Sequence, residues 1–302
     1  MAQGVSALDP AVLDRLASLS LVARTVVEGF MAGQHRSARL GSSVEFAQHR
    51  EYVPGDDLRR VDWKVYARQD RLVVKQYVEE TNLVCHLLVD ASESMSYGSK
   101  PWTKFDYARW CAASLAHLVL MQRDTAGLVL FDREFRAKVR PGNGALQRKE
   151  ILETLDKAEP KGSTGIGSVV EWITPKIKQR GIVCIFSDFF DDLAGVTQGL
   201  RRLVHAGHEP VVFQILDPEE LAFDFNGLLR LDGLEGSGMQ KIDARAIREA
   251  YREEIQKHQR ELSRQASLLS IDVVTVSTAD SLDAVLSTYL ARRSARARGG
   301  RR

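Results

Sequence analysis

Apolar side chains recur at helical spacing through Leu13, Leu16, Leu19, Ala23 and Val26, which predicts an amphipathic helix over residues 8–32, before Gly33. Its apolar stripe needs a partner surface, and packing against the rest of the chain is the expected arrangement. Residues 34–60 are polar and turn-rich. They end in YVPGDDLRR, where Pro54 and Gly55 favour a turn and Asp56 or Asp57 can cap the next helix. A short helix through Trp63 and Ala67 and a strand from Leu72 to Tyr77 are expected to follow.

From residue 83 the pattern becomes one of alternating strands and helices. LVCHLLV is a buried strand, and Phe105, Ala108, Ala112, Leu115 and Val119 form the inward face of a helix starting near Thr103, with Thr103 as its cap and Asp106 in its first turn. Further strands are expected at 127–131, 135–140, 182–186, 210–216 and 271–276. Helices are expected at 146–157, 166–179, 193–205 and 242–269, with a last one through Leu282, Val285, Leu286 and Leu290. This rhythm predicts an α/β fold with an open, mostly parallel sheet covered by helices. Residues 70–292 form the main domain, 1–34 a helical segment, 35–69 an extension packed onto that domain, and 293–302 an Arg-rich flexible tail. Residues 217–241, punctuated by Gly227, Gly233, Gly236 and Gly238, read as a partly irregular surface excursion.

The strand ending at Val89 runs directly into DASESM, so Asp90, Ser92 and Ser94 occupy alternate positions beyond a carboxyl strand edge, where open α/β sheets commonly place ligands. Thr164, in GSTG before a helix, and Asp188, just after IVCIF, fit the same geometry. Each residue has an ordinary structural use. Asp90 can receive loop amides, Ser92 and Ser94 can satisfy a turn, Thr164 can cap a helix, and Asp188 can cap the helix near 193. Their joint placement favours a common site. Carboxylate and hydroxyl oxygens suit a hard cation, Mg²⁺ first and Mn²⁺ second, with a coordination position left for water or a partner's acidic side chain. No clustered Cys and His set supports zinc. GSTGIG lacks the Gly-Lys-Ser/Thr ending of a phosphate loop, so Gly165 and Gly167 are read as permitting close approach of loop and helix. His86, alternating with apolar neighbours, is read as a structural histidine, and His117, His205 and His208 offer no catalytic arrangement.

These segments carry a resemblance. The chain resembles the bacterial DUF58 family, a branch of von Willebrand factor A-like proteins associated with MoxR-type AAA+ ATPases. The similarity lies in SVEFAQHREYVPGDDLRRVDWKVYAR at 43–68, DASESM at 90–95, LVLFD at 128–132, SDFFDD at 187–192 and the run Tyr289, Leu290, Ala291, Arg292, and it covers nearly everything after residue 35. It implies a von Willebrand factor A-like sheet with helices on both faces. It also implies a metal-ion-dependent adhesion site at Asp90, Ser92, Ser94, Thr164 and Asp188, with no departure at any of the five. The segment REYVPGDDLRRVDW distinguishes this family from generic adhesion domains. Its Arg50, Asp56, Asp57, Arg59, Arg60 and Asp62 are expected to form an ion-pair network clamping the N-terminal segment to the sheet, with Tyr52 and Trp63 packed beneath. The alternative is a catalytic or partner-binding surface.

Charge changes this picture little. The formal net charge is +2, but Arg292, Arg293, Arg296, Arg298, Arg301 and Arg302 contribute six positive charges, leaving the rest of the 302-residue chain weakly acidic. That gives no support for specific nucleic-acid binding. Cys85, Cys111 and Cys184 sit in apolar runs and are expected as buried free thiols of a reducing compartment. Charged residues interrupt the first thirty positions, and no eighteen-residue apolar run is present, so neither a secretory signal nor a membrane span is expected. The expected location is cytoplasmic, with any membrane association peripheral and through a partner. The functional expectation is a metal-ion-dependent protein-interaction module, an adaptor for a MoxR-like ATPase. A metal-dependent hydrolase is one alternative, although no nucleophile and base pair can be named. A metal-free structural scaffold is the other.

Overall fold

The computed structural model describes residues 10–14, 18–36, 49–52, 61, 63–75, 83–225, 228–233 and 238–299. The chain divides into two compact units, Gln34–Asn82 and a larger one made of Met1–Gly33 with Leu83–Arg302.

The larger unit is built on a six-stranded sheet. Its strands are β3 (Val84–Asp90), β4 (Thr125–Phe131), β5 (Phe135–Gly142), β6 (Ile182–Ser187), β7 (Glu209–Leu216) and β10 (Asp272–Ser277), in the order β10-β7-β6-β3-β4-β5. All neighbours pair parallel except β5, which returns antiparallel to β4 at one edge. Central strands buried on both faces need near-continuous apolar sequence, and β3 is buried at every position.

Alternate residues of these strands feed two cores. On one face Cys85, Leu87 and Val89 join Phe186 and Phe213 under α2 (Leu19–Arg36), α4 (Lys104–Met121), α5 (Gly144–Asp156) and α10 (Leu282–Gly299). On the other, Leu88, Val129, Val183, Ile185 and Val212 pack against α6 (Ile166–Ile173), α7 (Leu193–His205) and α9 (Ala244–Leu268). The expected α/β architecture, a mostly parallel sheet with helices on both faces, is therefore present. The three cysteines are buried and free.

Several local expectations need correction. The N-terminal helical stretch is two helices, α1 (Pro10–Leu13) and α2, and the apolar stripe of Leu19, Val22, Ala23, Val26 and Val27 enters the first core. The helix expected at 166–179 ends at Ile173 and tightens into a 3₁₀ turn over Thr174–Lys176, because Pro175 cannot donate to the preceding turn. Residues 217–241 are more regular than expected. They hold a short helix, α8 (Pro218–Ala222), and an antiparallel hairpin, β8 (Leu228–Gly233) with β9 (Gly238–Asp243), in which Gly233 faces Gly238 at the end where the chain turns back. Gly233 and Gly238, read as interrupting structure, instead end one strand and begin the next, while Gly227 and Gly236 lie outside the described residues. The tail expected to be flexible from 293 continues α10 as far as Gly299, as its alternating Ala and Arg, both strong helix formers, permit.

The smaller unit contains β1 (His49–Glu51) paired antiparallel with β2 (Val73–Lys75), and α3 (Trp63–Gln69) between them in sequence. Arg50 lies opposite Val74, and the half-buried Tyr52 donates its backbone N–H to Leu72. Trp63 is more exposed than the expected packed role implies. It opens α3 with 56% of its surface exposed and meets Tyr66, one turn on, edge to face at 6.1 Å. Asp56, Asp57, Arg59, Arg60 and Asp62, the rest of the expected network, lie outside the described residues.

Candidate strand-edge cation site

The carboxyl ends of β3 and β6 are neighbours in the sheet, so the residues that follow them emerge side by side. After β3 the chain enters a 3₁₀ turn over Glu93–Ser96, and the loop is pinned from outside. Ala91 donates to the Phe131 carbonyl at 2.6 Å, while Glu93 donates to the Gly162 carbonyl at 2.7 Å. Lys161 in turn donates to the Ala91 carbonyl at 2.8 Å. These backbone bonds bring the loop carrying Thr164 against the loop carrying Asp90, Ser92 and Ser94. Gly162 is held at φ +78°, a conformation that favours glycine, and a Cβ there would lie tightly against the Asp132 carboxylate at 3.2 Å.

Asp90 and Ser92 are completely buried. The Asp90 Oδ1 accepts the Ser92 N–H at 2.9 Å, and its Oδ2 accepts hydroxyls from Thr164 at 3.0 Å and Ser187 at 2.6 Å. The Ser92 and Ser94 hydroxyls are 3.1 Å apart. Thr164 therefore does not serve as a helix cap: Gly165 occupies that position, and Asp191 receives the first amide of α6 at 2.9 Å. Close approach is what Gly165 and Gly167 supply, since added Cβ atoms would meet the Arg133 Cα at 2.9 Å and the Gly195 backbone at 2.7 Å. Asp188 likewise leaves capping to Asp192, which accepts the Ala194 and Gly195 amides of α7.

Asp188 is also completely buried. One of its oxygens accepts the Phe190 N–H at 3.1 Å, and the other accepts the Lys104 ammonium at 2.8 Å. The intervening Phe189 takes a left-handed φ of 60°, uncommon for a bulky residue. Ser187 Oγ accepts its N–H at 3.1 Å, and a ring nitrogen of His258 lies 2.8 Å from its carbonyl oxygen. Of the five residues singled out in the sequence, Asp90, Ser92, Ser94 and Thr164 form one connected hydrogen-bonded group, and Ser187, the residue immediately before Asp188, donates its hydroxyl to Asp90.

Electrostatics binds Asp188 to the same group. Burial, and secondarily the negative charge of Asp188, raise the Asp90 carboxyl to about 6. Two buried carboxylates close enough to repel each other, among hydroxyl oxygens, form a donor set that a hard divalent cation would relieve. Among the described residues no three His, Cys, Asp or Glu side chains come together as a metal-binding group, so hydroxyls would supply much of the coordination.

Ser187, Lys104 and Glu220 were missed in the sequence. Ser187 sits inside SDFFDD beside the chosen aspartate. Lys104 directly follows the Thr103 cap, where a helix-start reading looks for acidic residues. Glu220 closes a capping box with Asp217 in α8, and nothing local shows that it reaches the β3 and β6 edge.

A mostly parallel α/β sheet with two buried carboxylates and a cluster of hydroxyls at its strand edge defines the class of domain. This chain belongs to the DUF58 family: it matches the family described as "Protein of unknown function DUF58" over residues 48–261. Proteins of Mycobacterium tuberculosis and Mycobacterium bovis, each called an uncharacterized protein, are 27% identical to it over 263 residues, covering 85% of this chain and 81% of theirs. Among solved structures, the conserved hypothetical protein BatB of Bacteroides thetaiotaomicron overlaps 70% of this chain and 98% of its own, at a TM-score of 0.48 and 14% identity. The SpRpn10 VWA domain overlaps 68% of this chain and 94% of its own, at 0.44 and 12%. At those scores neither says anything of the site or of a partner.

Proposed function

We propose that this chain is a protein-interaction module whose strand-edge site takes one Mg²⁺ or Mn²⁺ ion through Asp90, Ser92, Ser94, Thr164 and Asp188. The reading is carried by the convergence of the Thr164 and Ser187 hydroxyls and the Ser92 backbone N–H on the completely buried Asp90, beside a second buried carboxylate. A bound ion would supply a Lewis-acidic position at which an acidic side chain of the partner completes the coordination. Ser94 and Thr164 are partly exposed, while Asp90, Ser92 and Asp188 lie beneath them, so access from solvent is on the hydroxyl side. The partner class suggested by the resemblance is a MoxR-type AAA+ ATPase. Among the described residues no helix is long and apolar enough to cross a membrane.

A metal-free scaffold is the second reading, and a specific observation favours it. Asp90 and Asp188 already have hydrogen-bond partners within the chain, so the loops can hold their shape without an ion. Capture of a purified MoxR-type ATPase in Mg²⁺ and in EDTA, by wild type and by folded Asp90→Ala, separates the two. The adaptor reading expects capture lost in EDTA and in the variant. Capture indifferent to both supports the scaffold.

A further inference from the structure

Lys104 is the group at this edge that neither reading explains. A lysine in the first turn of a helix opposes the helix dipole, and a buried ammonium carries a desolvation cost of several kcal/mol, so its position needs a reason beyond helix formation. Its side chain is 1% exposed. The ammonium lies 2.8 Å from one Asp188 oxygen and 2.6 Å from Glu220 Oε1, with the Tyr97 and Phe190 rings at 5.9 and 5.5 Å. Burial pulls its pKa down, but the two carboxylates outweigh that and hold it above the ordinary lysine value, so the group stays charged.

Each Asp188 oxygen already accepts one hydrogen bond in this arrangement, from the Phe190 N–H and from the Lys104 ammonium. An ion drawing on Asp188 meets the positive charge of the ammonium at the same carboxylate. Glu220 provides the place where that charge can remain. Its second oxygen accepts the Asp217 N–H at 2.9 Å within the capping box of α8, which fixes the carboxylate beside Lys104. Asp217 is itself completely buried and receives Ser99 N–H at 2.9 Å and Thr278 Oγ1 at 3.2 Å, so α8 is anchored to the ends of β7 and β10.

We infer that Lys104 is the resident counter-cation of the site: its ammonium competes with the divalent ion for Asp188, and the ion binds as Lys104 gives that carboxylate up and keeps Glu220. This rests on the cation-site reading and adds to it a determinant of affinity and a link from ion occupancy to α8. The ammonium holds Asp188 in the ion-free protein, so the loops need not open when the ion leaves.

The test is calorimetric titration of the full chain with MgCl₂ and MnCl₂, comparing wild type, Lys104→Met and Glu220→Gln, with circular dichroism as the folding check. Removing a buried positive charge beside the ion should tighten binding by about tenfold or more in Lys104→Met. Neutralising the alternative carboxylate in Glu220→Gln should leave Lys104 more firmly on Asp188 and weaken binding by about tenfold. Opposite shifts in the two variants, or a Lys104→Met chain that folds only when MgCl₂ is added, support the inference. Unchanged or weaker binding in folded Lys104→Met overturns it while leaving the cation site intact. If Lys104→Met does not fold in either condition, the sign of the Glu220→Gln shift decides. No binding by wild type or by any variant overturns the cation site itself, and the inference with it.

Discussion

At the carboxyl ends of β3 and β6 the sheet buries Asp90, Asp188 and Lys104 within a hydrogen-bonded network. At the opposite end it buries His86, in β3, and His208, just before β7, with their rings edge to face at 6.3 Å and one nitrogen of each, Nε2 and Nδ1, without a hydrogen bond. The same strands thus hold two polar clusters on different terms. The carboxyl end keeps its charges by supplying partners from four loops. The amino end supplies too few partners, and burial keeps its histidines neutral, with His86 lowered to about 4. An interior can carry charge where a network is built for it, and such networks mark sites; where none is built, the polar group sheds its proton.

Breaking the carboxyl end should have the largest effect. Asp188→Ala leaves Lys104 buried with Glu220 as its remaining carboxylate, and removing one partner of a buried ion pair costs about 3–5 kcal/mol. Urea denaturation measures this, and a loss below about 1 kcal/mol would mean that Lys104 is satisfied by Glu220 alone.

The two ends should respond to acid with opposite signs. His86 has a folded pKa below its ordinary 6.5, so its contribution to stability is full above pH 6.5 and is lost as pH falls towards about 4, by roughly 3 kcal/mol in total. Asp90 has a folded pKa above its ordinary 3.8, so its ionisation costs stability at neutral pH, and that cost is relieved as pH falls through about 6. The two slopes oppose each other in the wild-type chain. Denaturation across this range should therefore show acid sensitivity reduced in His86→Leu and increased in Asp90→Asn; the same change in both would contradict the assignment.

A smaller effect is expected outside the sheet. With Trp63 more than half exposed, Trp63→Ala should change thermal stability by about 1 kcal/mol or less. A loss comparable to that of a core aromatic, about 3–5 kcal/mol, would restore the packed role first expected of it.

What was legible in the sequence follows the physics of each region. Strands buried on both faces write themselves as apolar runs, and Thr103 with Asp106 announces the start of α4, so the architecture of the larger unit could be read directly. Asp90, Ser92, Ser94, Thr164 and Asp188 were legible because each sits at the end of a recognisable element. Lys104 and Glu220 were not, since their pairing spans 116 positions and each already has an ordinary local role beside a helix cap. The hairpin at 228–243 was hidden because its bounding glycines also signal irregular loops. Trp63 misled because an aromatic beside charged residues suggests packing, whereas here its T-shaped contact with Tyr66 leaves most of the ring in solvent.

The central claim is that the buried carboxylates and loop hydroxyls at the β3 and β6 edge form a divalent-cation site. Electron paramagnetic resonance of Mn²⁺ added to the wild-type chain and to folded Asp90→Asn tests it most directly, because the signal of free Mn²⁺ falls as the ion is bound. The account predicts one bound ion in wild type, displaced by excess Mg²⁺, and affinity at least about a hundredfold weaker in Asp90→Asn. Equal Mn²⁺ binding by the two chains, or none by either, would contradict it.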